Sequence, residues 1–180
     1  GRSLDFIEDF IREQVLPFYA NTHTETAYTG ARTTALRESA RSTIRAAVNG
    51  GVNDKVIFCG SGATAAINKI IDIMNLRLPA DLDQRYQLAS AIPETERPVV
   101  FIGPYEHHSN ELPWRESLCT VEVIPLDAQG AIDQQALAAA LEKHEERRHK
   151  IGSFSAASNV TGVKSDVSGI TRLLKQHGAL

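Results

Sequence analysis

Three short clusters in this 180-residue chain carry residue types suited to chemistry. The first is the glycine turn Gly60-Ser61-Gly62-Ala63-Thr64. A helix that begins after such a turn points N–H groups without helical partners outward, and its dipole favours an anion there. Gly60 and Gly62 leave no Cβ in a ligand's way, and the hydroxyls of Ser61 and Thr64 add donors. These features predict a phosphate site; an ordinary strand–turn–helix connection fits the same residues. The second cluster is the adjacent pair His107 and His108, within Pro104-Tyr-Glu-His-His-Ser-Asn-Glu-Leu-Pro-Trp114. The third is the turn Asn159-Val-Thr-Gly162. A further stretch, residues 17–30, is polar and Thr-rich yet holds Tyr19, His23 and Tyr28. Hydrogen-bonding aromatics in a loop suit the wall of a site as well as an ordered polar connection.

Each cluster needs an element to position it. Val56-Ile57-Phe58 reads as a buried strand that delivers the glycine turn. Behind the turn, Ile67, Ile70, Ile71 and Met74 recur at helical spacing, to about Asn75. A second buried strand, Pro98 to Gly103, leads to the histidines, and Thr120 to Pro125 alternates like a strand nearer an edge. A fourth strand, Ile151 to Ser158, leads to Asn159. Helices are predicted over Ser3–Gln14 with Ser3 as cap and Pro17 beyond it, over Thr34–Asn49, near Leu82–Ala89, after the cap Asp133, and over Asp166–His177. In the second of these, Leu36, Ala40, Ile44, Ala47 and Val48 face inward, while Arg32, Arg37, Arg41 and Arg45 form a basic opposite side, solvated or in contact with a partner. Leu137 and Leu141, and then Val167, Ile170, Leu173 and Leu174, are the inward rows of the last two. Gly178-Ala-Leu180 reads as the start of another strand. Such β-α alternation predicts a three-layer α/β/α domain with a mainly parallel sheet. The three polar clusters then lie on one edge of that sheet, where strands end and ligands collect.

Composition narrows the field. A 42% hydrophobic fraction supports a sizeable core, and a net charge of −3 gives no global pull toward nucleic acid or an anionic membrane. No apolar run reaches membrane-spanning length and no signal peptide is visible. Two cysteines, Cys59 and Cys119, make no disulfide framework and fit a reducing cytoplasmic setting.

With these residues in place, the chain resembles a known family: the class V aminotransferases of the fold-type-I pyridoxal-phosphate (PLP) enzymes, in particular the cysteine desulfurase and selenocysteine lyase branch. The resemblance rests on Gly62-Ala63-Thr64 followed by Ile67-Asn68, on Glu106-His107-His108-Ser109-Asn110 followed by Pro113-Trp114, and on Ser158-Asn159-Val160-Thr161-Gly162. Tyr19-Ala-Asn-Thr22 sits where the family has an Asn-containing strand. The resemblance covers nearly the whole chain. It implies residues 1–180 are the N-terminal portion of the large domain, with 1–30 a helix and a segment leading into the active site. It also implies that Gly62, Ala63 and Thr64 hold the cofactor phosphate; many relatives carry a second hydroxyl where Ala63 stands. His107 would stack on the pyridine ring and assist proton transfer, Asn159 would reach the ring oxygen or a substrate carboxylate, and Asn21 and His23 would border the substrate. His108 would be a supporting or surface residue.

The resemblance further implies parts absent from this sequence: an aspartate for the pyridine nitrogen just past Ala179, a later Schiff-base lysine, and the desulfurase nucleophilic cysteine. None of Lys55, Lys69, Lys143, Lys150, Lys164 or Lys175 sits in the matching motif. The expectation is therefore an N-terminal half, catalytically silent alone, from a homodimeric amino-acid-processing enzyme. An exposed sheet edge would favour its self-association or poor solubility. Three other readings stay open. Gly60-x-Gly62-x-x-Ala65 approaches a dinucleotide fingerprint, so an NAD(P)-binding oxidoreductase is the first, although Asp81 is poorly placed for the ribose. A metal hydrolase using His107, His108 and Glu111 or His23 is the second, although no carboxylate pair completes its ligand set. A non-catalytic scaffold or binding module is the third.

Overall fold

A computed structural model describes residues 2–180, which fall into two compact units, residues 2–58 and 59–180. In the first unit, α1 (Asp5–Phe10) runs into a π turn at Ile11–Val15 and a 3-10 turn at Leu16–Phe18. Its N-cap is Leu4, not Ser3. Helix α2 (Tyr28–Ala47) begins six residues before the predicted start. Thr33 and Thr34 explain why: their hydroxyls accept the amides of Ala20 and His23, ordering the polar loop against the helix.

The inward row predicted for α2 is corrected. Leu36, Ile44 and Val48 are exposed, whereas Arg32, Arg37, Arg41 and Arg45 are half-buried. Long arginine stems cover apolar surface while their heads find partners. Arg32 lies 4.2 Å over the Phe18 ring and donates to the Gln14 carbonyl; Arg37 reaches the Thr22 hydroxyl. A second correction concerns residues 56–58. They form no strand, and Ile57 and Phe58 are 56% and 46% exposed. β propensity expresses packing against neighbouring strands, and no described strand pairs with them.

The second unit opens with α3 (Gly62–Ile73), followed by the short helices α4 (Ala80–Tyr86) and α5 (Leu88–Ala91). Then come β1 (Val99–Ile102), α6 (His108–Arg115), β2 (Thr120–Val123), α7 (Gln134–Lys143), β3 (Lys150–Gly152) and α8 (Val167–Gln176). The strands form a parallel sheet in the order β2-β1-β3. β1 is buried on both faces. Val99 and Phe101 pack with Leu137, Leu141, Ile170 and Leu174 of α7 and α8, while Val100 and Ile102 pack with Ile71 of α3 and Trp114 of α6. The result is the three-layer α/β/α arrangement with a parallel sheet.

β3 is shorter than predicted and ends at Gly152. A Cβ there would lie 2.3 Å from Leu174, so glycine lets α8 close onto the sheet. On the other edge of β3, Gly152 N–H donates to the Leu180 carbonyl and Leu180 N–H to that of Lys150. Val167, read as inward, is exposed and only the rest of its row packs. Arg147, 8% exposed, donates to the carbonyls of Glu94 and Arg97 and pins the approach to β1.

On β2, Glu122 takes hydrogen bonds from His144 at 2.6 Å and from Lys143 at 3.0 Å. Burial pushes the Glu122 carboxyl up, but the hydrogen bonds from His144 and Lys143, with their charges, outweigh it and hold it below its ordinary value. A carboxyl lowered by folding stabilises fully above its unfolded value, about 4.3, and loses that contribution as pH falls through the lower folded value. The Glu122→Gln variant should therefore trail the parent in urea stability near neutral pH and converge on it between about pH 5 and 3. A constant difference across that range would contradict this account.

Candidate active site

The second unit carries an open cleft of about 530 Å³ lined by Ala63, Thr64, Ile67, His107, Ser109, Asn110, Ser153, Phe154, Ser155, Ala157 and Asn159. Four residues singled out by sequence, Ala63, Thr64, His107 and Asn159, thus share one lining. Gly62 lies one residue before it, at the turn. Asn21 and His23 belong to the first unit, where His23 Nε2 lies 3.3 Å from Arg37.

Each rim has a local cause. Gly60 and Gly62 take φ of +44° and +69°, the left-handed region that side chains disfavour. A Cβ at Gly60 would also strike that of Ala65 at 2.5 Å. Ser61 occupies the N-cap of α3, but no side chain caps this helix, and Ala63 and Thr64 of its first turn line the cleft. The Asn159 turn is built on Ser158. The Ser158 hydroxyl accepts the amides of Val160 and Thr161, its carbonyl accepts that of Gly162, and an antiparallel bridge pairs Ala157 with Lys164.

His107 is both a rim residue and the N-cap of α6. Its Nδ1 accepts the Ser109 amide at 3.1 Å and lies 2.9 Å from the Ser109 hydroxyl. An amide N–H can only donate, so Nδ1 carries a lone pair and the neutral ring carries its proton on Nε2. The His107 and His108 ring centroids lie 6.2 Å apart. Among the described residues, no group of three or more His, Cys, Asp or Glu is placed to hold a metal ion.

Behind the rim lies a polar network. Asn110 donates through Nδ2 to Glu106 at 2.8 Å and to the Ser153 carbonyl at 2.9 Å. Its Oδ1 accepts the Ser153 hydroxyl at 2.6 Å and the Trp114 indole N–H at 3.4 Å. Glu106 also takes the Gly103 amide and both the amide and hydroxyl of Ser155.

A family profile described as "Aminotransferase class-V" matches residues 7–180. The chain belongs to the class-V aminotransferase family. Among relatives, a probable cysteine desulfurase of Halalkalibacterium halodurans is 28% identical over 98% of this chain and 39% of its own length. One from Pseudomonas putida is 29% identical over 89% of this chain and 36% of its own. The apo structure of a cysteine desulfurase from Thermococcus onnurineus superposes on all of this chain and 40% of its own, at a TM-score of 0.74 and 18% identity, and so shares the fold. The chain spans about two-fifths of the length of these relatives. It therefore shares its fold with part of that longer Thermococcus onnurineus chain.

For this member of the class-V family, sequence reasoning quoted Glu106, Asn110 and Trp114 but assigned them no task. It missed Ser153 and Ser155 altogether. A clue was the spacing of Ser153 and Ser155, which puts two polar side chains on one side of the segment leading to Asn159. The Ser109 cap makes a specific prediction. In ¹⁵N spectra of the neutral imidazole, His107 should show Nε2 protonated and Nδ1 bare, and Ser109→Pro, which removes the donating amide, should relax that preference. A neutral ring protonated at Nδ1 in the parent would refute the geometry.

Proposed function

We propose that this chain is part of a PLP-dependent class-V enzyme acting on an amino acid, and that the cleft of the second unit receives the cofactor. The reading is carried by one observation: Ala63, Thr64, His107 and Asn159 line the same cleft. The donor set fits the group. An uncapped helix N-terminus offers amides and a favourable dipole to a phosphate, with the Thr64 hydroxyl beside it. The small Ala63 leaves the approach open, at the loss of one side-chain donor. The His107 imidazole supplies a flat face for the pyridine ring, and its Nε2–H is the proton it can donate. The Asn159 carboxamide can donate to the ring oxygen or to a substrate carboxylate. PLP, when bound, supplies an electron sink for bonds at the amino acid's α-carbon.

The names of the relatives favour cysteine as the amino acid and a desulfurase or lyase reaction over transamination. The dinucleotide alternative loses support, because its fingerprint follows a strand and residues 56–58 form none. No lysine lines the cleft. The residues described here thus hold the cofactor without a covalent bond, and we expect no amino-acid turnover from this chain alone. A homodimer in a reducing cytoplasm is the setting we assign. Both thiols are free, and burial pushes that of Cys119 up, against a lesser pull from its Ser117 hydrogen bond, which suits an inert thiol.

Two outcomes test this reading. Ala63→Asp places a carboxylate where the phosphate docks, so PLP affinity by fluorescence titration should fall about tenfold or more while phosphate-free pyridoxal is little affected. Equal PLP affinity for parent and variant would sink the phosphate assignment. Borohydride treatment of the chain with PLP should leave no lysine adduct that free phosphate suppresses; a phosphate-sensitive adduct would contradict non-covalent binding.

A further inference from the structure

The geometry points to Glu106 as a positioning residue that couples the His107 rim to the turn carrying Asn159, an inference that rests on the cleft being the cofactor site. Two residues far apart in sequence must keep a fixed separation if one is to face a ring and the other its substituent. Glu106 is the group that spans them. Its Oε1 accepts the amides of Gly103 at 3.2 Å and Ser155 at 3.0 Å. Its Oε2 accepts Asn110 Nδ2 at 2.8 Å and the Ser155 hydroxyl at 2.6 Å.

On one side the link runs to His107. Glu106 is its chain neighbour, and the Asn110 amide that follows closes onto the His107 carbonyl at 2.7 Å. On the other side it runs to Asn159. The Ser155 carbonyl accepts the Ser165 hydroxyl at 2.7 Å, Ser165 N–H donates to Ala156, and these bonds lie directly under the Ala157–Lys164 bridge. Tyr105 closes the circle at 3.1 Å from the Ser165 hydroxyl. Because that hydroxyl donates to Ser155, the Tyr105 hydroxyl is the donor in this pair.

The chemistry requires a carboxylate at this place. Three N–H groups and one hydroxyl converge on the two oxygens, and the N–H groups can be satisfied only by an acceptor. A carboxamide of the same size keeps one oxygen and would turn its own N–H groups against Asn110 Nδ2 or against the Gly103 and Ser155 amides. Asn110 cannot flip to relieve this, since its Nδ2 also serves the Ser153 carbonyl and its Oδ1 serves Ser153 and Trp114. Glu106→Gln is thus a small change in shape that removes one of the two acceptor atoms the N–H groups share.

The test uses the full chain and two variants. In Glu106→Gln, the ¹⁵N signals of the His107 ring and the Asn159 carboxamide should both shift, and PLP affinity should fall at least tenfold. Ser155→Ala removes only the hydroxyl donor and should move the same two signals in the same direction by less. Glu122→Gln, which lowers stability near neutral pH through the lost His144 and Lys143 bonds and touches neither rim, should move neither, separating positioning from general destabilisation. If Glu106→Gln fails to fold, Ser155→Ala decides. The inference is overturned if the Glu106 and Ser155 variants leave the Asn159 signal where the parent has it, or if Glu122→Gln shifts it equally. A parent that binds no PLP while its signals respond as described would defeat the cofactor reading and leave the coupling standing.

Discussion

The structure of the second unit hangs on β1 being dry on both faces. Four consecutive side chains, Val99 to Ile102, are withdrawn from water, alternately into two clusters. Each such burial is worth roughly 1.5–3 kcal/mol, so the strand contributes heavily to the unit's core. Its backbone must then find partners laterally, and β2 and β3 supply them in parallel register. Parallel pairing has a geometric consequence. It sends the strands' carboxyl ends to one edge, so the turns after β1 and β3 become neighbours although about 50 residues separate them.

Neighbouring turns at the end of a dry strand create a second problem, because their amides and hydroxyls are half out of water. Glu106 and Asn110 resolve much of it: they accept the Gly103 and Ser155 amides and the Ser153 and Ser155 hydroxyls, and Asn110 donates to the Ser153 carbonyl. Surface ion pairs such as Arg12–Asp9 and Arg115–Glu111 are exposed and contribute at most about 1 kcal/mol each. A half-buried network differs, since losing one partner strands the others at about 1–3 kcal/mol apiece. The same bonds that satisfy the turns therefore hold the cleft in shape, and site geometry becomes a by-product of polar satisfaction.

What was legible in the sequence follows from this division between local and distant causes. β1 was readable because a continuous apolar run carries its own signal, and the Asp133 and Asp166 caps because a cap acts within three residues. The glycine turn and its helix were readable for the same reason. The strand predicted at 56–58 was not, since a strand needs a partner the run itself cannot specify. The helix α2 misled because its arginines found an aromatic ring, a carbonyl and a threonine at distances in sequence that periodicity does not register. The predicted eight-residue strand after Ile151 stops early for a related reason. Ser153 and Ser155 give their polar groups to Asn110 and Glu106, 43 and 49 residues away, and such a link leaves no trace in a local pattern.

The treatment of helix ends argues the same point from the opposite direction. Of the longer helices in this unit, α6, α7 and α8 are each capped by a side chain, from His107, Asp133 and Asp166. A cap is worth about 1 kcal/mol, so its omission is not neutral. Helix α3 omits it even though Ser61, a good capping residue type, occupies the position. Gly62 at φ +69° turns the chain as it enters the helix, and a glycine here is chosen for that conformation, since a Cβ would meet nothing within 4 Å. Ala63 and Thr64 of that first turn line the cleft, where water or a ligand can take their amides. Local capping is thus given up at the helix end whose first turn lines the cleft, while the hydrogen bonds gathered on Glu106 tie the segment after β1 to the segment after β3.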